Sequence, residues 1–429
     1  MQLWSSPRKR RWLLWGLLAL SFLLVNVYRL STAVIADDLM TAFGTSGAQL
    51  GTLHATFFFI YALMQVPTGL LVDFVGPRRT AAVGAAVTHI GALLFALATG
   101  YGVAFGGRFL IGLGGSVIFV SVLRFCANWY SAGEFATMNG LSFAMAGVGG
   151  VLATTPFAVL VDALGWRASV RVLAAVGLVL AVAVYLFVRD SPERAGFEPI
   201  EGVPEQPRLS AAESWDFLTD VFRDRLTWIV FVVLFSTGGV NLTLFGLWGI
   251  PYVVQMYDVS VTTASTVTLM GGIGTAIGPP TFGRISDRTG LRTEIVLAAA
   301  ALYTLVLAVI AVVGAPPLPL VGVAFFLAGT LFGAFVLTYP LIKERNPDRA
   351  SGIALGTINA AAFLGAAVFP SVMGWILDSH WTGELSGGTR VYTATGYRVA
   401  FALAAVAAAC SLLCALWLHR RGDSVSGTV

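Results

Sequence analysis

The sequence predicts an all-α membrane protein with twelve transmembrane helices, arranged as two pseudo-symmetric bundles of six helices each. Three observations lead to this fold class. The chain of 429 residues is 57% hydrophobic and only 11% charged. Its apolar runs are continuous and roughly 20 residues long, which is the length at which a helix crosses about 30 Å of hydrocarbon. Finally, a loop pattern in the first half of the chain recurs in the second half.

The composition excludes several classes of protein. A soluble domain carries roughly 25% charged residues, and the mean hydropathy of +0.82 indicates that lipid is the solvent. We therefore exclude a soluble enzyme, a nucleic-acid binder and a disordered chain. Cys126, Cys410 and Cys414 lie in or beside apolar runs, so we expect no disulfide framework.

The apolar runs define the helices in chain order. Two of the gaps between them are tight hairpins, because a chain in lipid must satisfy its backbone as helix. A signal peptide is the alternative for the first run, but that run is too long and contains Arg29. The predicted spans are residues 12–35, 48–72, 80–98, 102–126, 135–161, 168–188, 227–250, 261–282, 293–314, 318–342, 351–377 and 397–418.

The distribution of positive charge orients the helices. With the N-terminus inside, nineteen of the 26 Lys and Arg residues fall on the inner side. This bias predicts a multi-pass protein of the cytoplasmic membrane with both termini in the cytoplasm. The polar, proline-containing stretch 189–226 is a predicted cytoplasmic linker with a short amphipathic helix over 211–222. It separates two predicted bundles, residues 1–188 and 227–429.

Two loops reveal the internal repeat. Residues 69–79 and 283–292 share Gly, Asp, Gly and Arg, and all four pairs are separated by one common offset, half the length of the chain. A second pair is formed by residues 165–167 and 396–398, which read Gly-Trp-Arg and Gly-Tyr-Arg. Six plus six helices related by a parallel repeat is an architecture of secondary transporters.

With these loops, the sequence resembles the major facilitator superfamily over nearly its whole length. Residues 69–79 match the Gly-x-x-x-Asp-x-x-Gly-x-Arg-Arg hallmark of that family, and residues 283–292 match it with a single Arg. Residues 108–115 match a second family pattern, Arg-x-x-x-Gly-x-Gly-Gly. Residues 61–69 and 127–130 are similar to the prokaryotic branch with sugar-phosphate-permease-like members, which also looks related to lysosomal dipeptide carriers.

The resemblance implies alternating access, with helices 1, 4, 7 and 10 around a central cavity. It also implies that the repeated loop is a conformational latch that holds the outward-open state. In such a latch the Asp73 carboxylate would accept hydrogen bonds at a helix N-terminus, or pair with an Arg of its own loop. The alternative is that Asp73 and Gly76 only cap a tight turn. The predicted latch residues are Gly69, Asp73, Gly76, Arg78, Arg79, Gly283, Asp287 and Arg292.

Charges inside the spans point to the ligand. Arg29, Arg108 and Arg124 lie within predicted helices, whereas no Asp or Glu falls in the middle of a span. Intramembrane charges mark functional sites, and Arg can hold a carboxylate through two parallel hydrogen bonds. We therefore predict an organic-anion site formed by these three arginines with Tyr61 and Asn241. Polar residues of lower rank are Asn26, Tyr28, Gln65, Asn139, Tyr339 and Asn359.

Each candidate has a structural alternative. Arg29 could extend to the outer membrane surface, and polar residues in spans more often join helices than bind ligands. Arg108 and Arg124 are about 160° apart around an ideal helix, so both face a cavity only if the helix bends. The resemblance implies that Arg108 packs toward helix 1, and Arg124 could cap the inner end of its helix.

The same residues limit the ligand and the coupling chemistry. Phosphate antiporters of the superfamily pair an Arg in helix 1 with one in helix 7, but the repeat counterpart of Arg29 in helix 7 is Thr243. A carboxylate therefore fits better than an organophosphate. With no buried carboxylate to carry protons, the candidates are His54 and, at lower rank, His89. A lone helical His is more often a packed polar residue.

The sequence thus predicts a secondary transporter that moves a small organic anion across the cytoplasmic membrane. A dipeptide carrier and an efflux pump for hydrophobic compounds remain alternatives, and a non-transporting membrane sensor represents a different class. We predict no enzyme activity, cofactor or metal site, since no nucleophile, base and metal-ligand constellation is present. The expected partners are a small-molecule substrate and the lipid bilayer, with no nucleic acid, and the expected functional unit is a monomer.

Overall fold

The structure, a computed structural model, describes residues 7–198, 200, 203, 211–343, 345 and 351–426. Within these residues nine helices are long and apolar enough to cross a membrane. Two bent helix pairs, beginning at Gly47 and at Thr137, raise the number to eleven. The prediction of an all-α membrane fold is confirmed.

The chain before the linker forms ten α-helices and one 3-10 turn, Ser31–Ala33. The helices are α1 (Pro7–Leu30), α2 (Ala36–Phe43), α3 (Gly47–Leu63), α4 (Gln65–Val75), α5 (Pro77–Leu97), α6 (Tyr101–Ser116), α7 (Ile118–Trp129), α8 (Ala132–Leu152), α9 (Thr155–Leu164) and α10 (Trp166–Phe187).

The linker contains a 3-10 turn, Glu193–Ala195, and helix α11 (Ala211–Arg223), where the amphipathic helix was predicted. Linker residues 199, 201, 202 and 204–210 lie outside the described part of the chain. The following helices are α12 (Arg225–Thr243), a π-helical turn (Leu244–Trp248), α13 (Gly249–Tyr257), α14 (Val261–Thr289), α15 (Arg292–Val313), α16 (Leu318–Phe335), α17 (Thr338–Lys343), α18 (Ser351–Asp378) and α19 (Ala394–Ser426).

A short antiparallel hairpin, β1 (Trp381–Ser386) and β2 (Thr389–Tyr392), joins α18 to α19. The sequence indicated only a longer loop here. The hairpin marks what we call the outer end of the molecule, and the linker marks the inner end.

Helix α14 corresponds to the remaining predicted span, residues 261–282. It has 29 residues, enough to cross a bilayer, but it is less apolar than the other long helices. Its interior carries several Thr and Gly residues, and its inner turns contain Arg284, Asp287 and Arg288. The helix therefore continues through most of the second latch loop, further than the apolar run predicts.

The same helix pairs pack together before and after the linker. Helix α5 packs against α6 and α10, and α15 packs against α16 and α19 in the corresponding positions. Likewise α1 contacts α8 as α12 contacts α18. Between the two halves, α3 lies along α18, and α8 and α9 lie against α14. The repeat found in the sequence is therefore also a repeat of helix packing.

Both copies of the latch loop turn at a glycine with positive φ. The φ angle is 91° at Gly76 and 73° at Gly290, the left-handed region that other residues rarely adopt. The two glycines are counterparts in the sequence repeat, so the structure gives a conformational reason for this glycine in each copy.

The first helix of each half is broken where the sequence predicted a continuous span. Helix α1 ends at Leu30 and a 3-10 turn follows, whereas α12 ends at Thr243 and a π-helical turn follows. The two irregular turns contact each other. Because π-helical turns are rare and occur often at functional sites, this contact directs attention to the middle of the molecule.

Helices α14 and α16 approach each other through glycines. A Cβ atom added at Gly278 would lie 2.2 Å from the carbonyl oxygen of Thr330, and one at Gly274 would lie 2.2 Å from that of Phe326. Small residues allow this backbone approach, which supports helix association in a bilayer.

We predict that Gly278→Ala destabilises the protein, because the added methyl group must push the α16 backbone away. Overpacking of this kind costs about 1–3 kcal/mol, so the Tm of the purified protein should fall by several degrees. Gly272→Ala is the matched control on the same helix, since no atom lies within 4 Å of its added Cβ. Equal melting temperatures for the two variants would contradict the packing argument.

Candidate functional site

Arg29 lies at the point where the two halves meet. It belongs to the last turn of α1, directly before the helix breaks. Its guanidinium carbon is 6.0 Å from the centroid of the Phe363 ring on α18, and the Tyr61 ring of α3 is 4.5 Å from the same ring. Arg29 is thus turned toward the interior and the opposite half rather than toward the outer membrane surface.

No counter-charge neutralises Arg29 within the described residues. None of the carboxylates described by the structure forms an ion pair with it. Its Nε is buried without a hydrogen-bond partner, and Phe363, the ring beside its guanidinium, packs in turn against Tyr61. This arginine is equipped to accept an anion.

A polar network lies about one helical turn further toward the inner end. Tyr339 of α17 donates a hydrogen bond through its hydroxyl to Asn359 Oδ1 of α18, at 2.9 Å. The amide of Asn359 in turn donates to Gln65 Oε1 of α4, at 3.4 Å. The network joins the two halves and offers donors and acceptors without a net charge.

Asn241 occupies the corresponding region of α12, one turn before the π-helical turn. Its side chain is 4% exposed, and its Nδ2 is buried without a hydrogen-bond partner. The hydroxyl of Thr243, the repeat counterpart of Arg29, is also unpartnered. This unsatisfied amide and hydroxyl are costly in a dry interior unless a ligand or water engages them.

Arg108 is engaged within the first half. Its Nη1 donates a 2.9 Å hydrogen bond to the carbonyl oxygen of Tyr28. Its guanidinium also lies over the rings of Phe57 and Phe95, at 5.6 and 6.0 Å. With 2% of its surface exposed, Arg108 holds the end of α1 in position beside Arg29, as the packing toward helix 1 implied.

Arg124 pairs with the latch carboxylate. Its Nη2 lies 3.2 Å from Asp73 Oδ1, so the guanidinium is occupied near the inner end of α7. Helices α6 and α7 are separated only at Val117, just after the Gly cluster, and together form one span, Tyr101–Trp129. This break does not bring Arg124 to Arg29, and the three arginines predicted as one ligand site lie in three different environments.

The first latch loop is held by the end of the first half. The backbone N–H of Arg78 donates to Asp190 Oδ1 at 2.8 Å, and its Nε donates to the Tyr185 carbonyl at 2.8 Å. Asp73 therefore pairs with Arg124, a partner that the sequence analysis did not name, and not with Arg78 or Arg79 of its own loop. Arg79 is exposed, and Asp287 of the second copy is exposed as well.

His54 is fully buried on α3, two turns toward the outer end from Tyr61. Both ring nitrogens lack hydrogen-bond partners, and the ring lies 5.0 Å from that of Phe58. A Cβ added at Gly246 in the π-helical turn would be 3.0 Å from His54 Nε2, so the imidazole directly faces the opposite half. In contrast, His89 Nδ1 is 3.2 Å from the Tyr28 hydroxyl, inside its own half.

Two acidic groups near the ends of the helices have shifted pKa values. At the inner end, hydrogen bonds from Arg11 lower the pKa of Glu134 to about 2, and their shortest contact is 2.6 Å. At the outer end, burial and then the neighbouring charge of Asp38 raise the pKa of Asp37 to about 6. The carboxyl of Asp37 therefore changes charge close to neutral pH, where the halves meet.

Several of these contacts lie beyond sequence reasoning. Phe363 is one of 29 phenylalanines, and nothing in its local pattern indicates that it faces Arg29. In the sequence, Arg11 served only as one of the positive charges that orient the helices. In the structure it forms an ion pair with Glu134 across the first half. In the part of the chain that the structure describes, no cluster of His, Cys, Asp and Glu has the arrangement of a metal site.

Comparisons with known proteins identify the family that this chain resembles. The family model of the Major Facilitator Superfamily matches residues 14–335 and, in a second overlapping match, 247–428. A protein of Agrobacterium vitis, provisionally named a tartrate transporter, is 28% identical over 364 residues, covering 80% of this chain and 78% of that protein. The hexuronate transporter of Bacillus subtilis is 24% identical over 370 residues, covering 82% and 83%.

A solved structure has a similar fold. It is a bacterial homolog of the human lysosomal transporter Spinster, in an inward-facing and occupied conformation. The two structures superpose with a TM-score of 0.76 at 16% identity, covering 97% of this chain and 98% of that one.

Proposed function

This chain belongs to the Major Facilitator Superfamily, and on that premise we propose that it transports a small organic anion bearing a carboxylate. Transport proceeds by alternating access, with residues 1–188 and 227–429 moving as two bundles about the site between them. The protein acts as a monomer in the cytoplasmic membrane, with both termini in the cytoplasm.

The observation that carries the proposal is the unneutralised guanidinium of Arg29 between the halves. An arginine in a membrane interior is costly and is expected to face a partner or a water-filled cavity. Its guanidinium lies beside the aromatic ring of Phe363, which in turn packs against the Tyr61 ring. A carboxylate would supply both the missing charge and two hydrogen-bond acceptors in the geometry that Arg prefers.

The surrounding polar groups suit a hydroxylated carboxylate. Tyr61, which shares the Phe363 ring with Arg29, serves as one neutral contact, and Asn241 contributes an unpartnered amide from α12. The network of Gln65, Tyr339 and Asn359 serves the hydroxyl groups one turn away. Tartrate and hexuronates, the compounds named for two relatives, are carboxylates that carry several hydroxyls. Arg108 and Arg124 act on the anion from a distance, through their charge and through the segments they hold.

His54 is the proposed proton site. Its imidazole faces the opposite half with both nitrogens free of hydrogen bonds, so its surroundings change whenever the halves separate. A group whose environment differs between two states binds protons differently in each, which couples protonation to the conformational change.

The loop 69–79 is the proposed latch at the inner end, with residues 283–292 as its repeat. In the present state Asp73 pairs with Arg124 in its own half. In the outward-open state the same carboxylate would engage the facing half, and the exchange of partners gives two discrete arrangements.

We predict that Arg29→Ala abolishes most carboxylate binding. A hydrogen bond to a charged group contributes about 1.5–3 kcal/mol, so the Kd for tartrate or a hexuronate should rise at least tenfold in calorimetric titration. Arg29→Lys keeps the charge but loses the forked donor geometry, and should recover only part of the affinity.

Arg171→Ala is the matched control for Arg29→Ala. Among the described residues the Arg171 guanidinium donates to a carbonyl of its own helix, at the outer end, so the affinity of this variant should equal that of the wild type. Wild-type affinity in Arg29→Ala would refute the assignment of the anion site.

A second prediction concerns protons. In proteoliposomes, His54→Gln should remove the pH change that accompanies substrate uptake while substrate exchange at equilibrium continues. His89→Gln removes the other buried imidazole and should leave the pH change in place. If proton movement persists in His54→Gln, another group carries the proton.

A third prediction concerns the latch. Asp73→Asn should favour the inward-facing state, because the partly exposed pair with Arg124 that this state loses contributes about 0–1 kcal/mol. The contact that the outward-open state loses is a hydrogen bond to a charged group, which contributes about 1.5–3 kcal/mol. The readout is maleimide labelling of Ser31→Cys in a background without the native cysteines. Ser31 is 4% exposed beneath the closed outer end, so its labelling rate reports opening on that side.

The labelling rate of the Asp73→Asn variant should fall about tenfold if one charge-assisted contact is lost from the outward-open state. The exposed inner-end carboxylate of Glu193 provides the control variant Glu193→Gln. An unchanged rate and unchanged transport in Asp73→Asn would leave only the turn-capping role.

A further inference from the structure

The carboxylate of Asp378 joins the two halves at the outer end. Asp378 is the last residue of α18. Its Oδ1 accepts a hydrogen bond from the backbone N–H of Gly47, and its Oδ2 accepts one from that of Ala48, both at 2.8 Å. Gly47 and Ala48 are the first two residues of α3 in the opposite half.

These two N–H groups are available because α3 caps itself in another way. Ser46 and Gln49 form a reciprocal capping box, in which the Ser46 side chain accepts from the N–H of Gln49. The box leaves the N–H groups of Gly47 and Ala48 without a partner inside the helix, as at every helix N-terminus. The negative charge of Asp378 there is further favoured by the helix dipole.

The hairpin supplies the remaining partners of the carboxylate. Arg390 Nη1 lies 3.0 Å from Asp378 Oδ1, and the Tyr392 hydroxyl donates to the same oxygen at 3.3 Å. Gln255 of α13 holds strand β2 in place, accepting from the Tyr392 N–H and donating to the Arg390 carbonyl, both at 3.1 Å. The hairpin is therefore fixed to its own half.

The same hairpin reaches across to the first half. The Thr41 hydroxyl of α2 donates to the Gly387 carbonyl at 3.2 Å, and the Thr389 hydroxyl donates to the Asp37 carbonyl at 3.3 Å. These bonds are made to backbone carbonyls at the edge of the contact, with the Asp378 carboxylate at its centre.

The two helices approach closely beneath this contact. A Cβ at Gly374 of α18 would lie 2.1 Å from the Gly47 carbonyl oxygen, and one at Gly51 would lie 2.2 Å from that of Pro370. The backbones of α3 and α18 therefore touch at the outer end. Such a fit cannot persist when the outer end opens, so Asp378 must then release the N-terminus of α3.

The inner end offers a counterpart. Asp73 lies near the C-terminal end of α4, which continues α3, just as Asp378 ends α18, and α3 and α18 run antiparallel. In this structure the outer carboxylate is bound across the halves, while Asp73 pairs with Arg124 in its own half.

We propose that Asp378 is an outer lock, which keeps the outer end closed by capping α3 across the interface, with the hairpin 381–392 as its strap. The proposal deepens the alternating-access cycle proposed above, on which it rests. When the outer end opens, the N–H groups of Gly47 and Ala48 lose the Asp378 carboxylate and are hydrated instead. At the inner end, the Asp73 carboxylate then contacts the opposite half.

The test is the maleimide labelling rate of Ser31→Cys in the otherwise cysteine-free, full-length protein without substrate. Asp378→Asn should raise the rate about tenfold, equivalent to about 1.4 kcal/mol, and Arg390→Gln should raise it about threefold. Glu384→Gln is the matched control, because it removes a carboxylate from the same hairpin that has no contact across the halves among the described residues.

A wild-type rate in folded Asp378→Asn would overturn the lock. If that variant does not fold, Arg390→Gln decides, and a wild-type rate there overturns the proposal as well. Because labelling requires no ligand, this outcome is independent of carboxylate binding at Arg29. If Asp378→Asn raises the labelling rate but the wild-type protein binds no carboxylate, the proposed substrate is refuted and the proposed lock is supported.

Discussion

The structure depends on one constraint, that a membrane interior supplies no water to polar groups. Every backbone amide and every charge must therefore find its partner within the protein. Long helices satisfy the backbone. The buried cations Arg11 and Arg108 find a carboxylate and a carbonyl, respectively. Several buried polar atoms still lack a hydrogen-bond partner, among them Nε and Nη2 of Arg108 and Nδ2 of Asn241. Arg29 differs from these because its guanidinium, which forms no ion pair among the described residues, lies against Phe363 of the opposite half.

The internal repeat shapes these exceptions. Helices α1 and α12 are equivalent by packing, and each breaks within one position of the place that the sequence repeat predicts from the other. The two breaks differ in kind, a 3-10 turn after Leu30 and a π-helical turn after Thr243. In the sequence, only the first half carries a cation beside its break. The repeat thus provides two similar helix breaks, and they differ in that Arg29 lies beside the first and Thr243 beside the second.

Most of the membrane-spanning helices could be predicted from the sequence, because a segment that crosses lipid must be a long apolar helix. The helices, their pairing by repeat and the exceptional position of Arg29 follow from apolar length and from charges in unexpected places. The helix breaks, the ring of Phe363 and the cap made by Asp378 do not follow. They depend on which side chains meet between distant segments, and a carboxylate at a helix end looks the same in sequence whether it faces water or another helix. Arg124 illustrates the limit, since its partner Asp73 belongs to a different helix, with two further helices between them in the chain.

If Arg29 is the anion site proposed above, the ring of Phe363 also influences how tightly the anion is held. A cation over an aromatic face is stabilised by about 0.5–2 kcal/mol, far less than by a carboxylate. Without a ligand, Arg29 therefore still has a weak partner in the Phe363 ring. The arginine can remain buried inside the membrane without a tightly bound counter-ion. An anion that binds Arg29 replaces a weak cation–π contact rather than an existing ion pair. When the anion leaves, the guanidinium returns to the face of the Phe363 ring. Such a site favours moderate affinity and rapid turnover over retention.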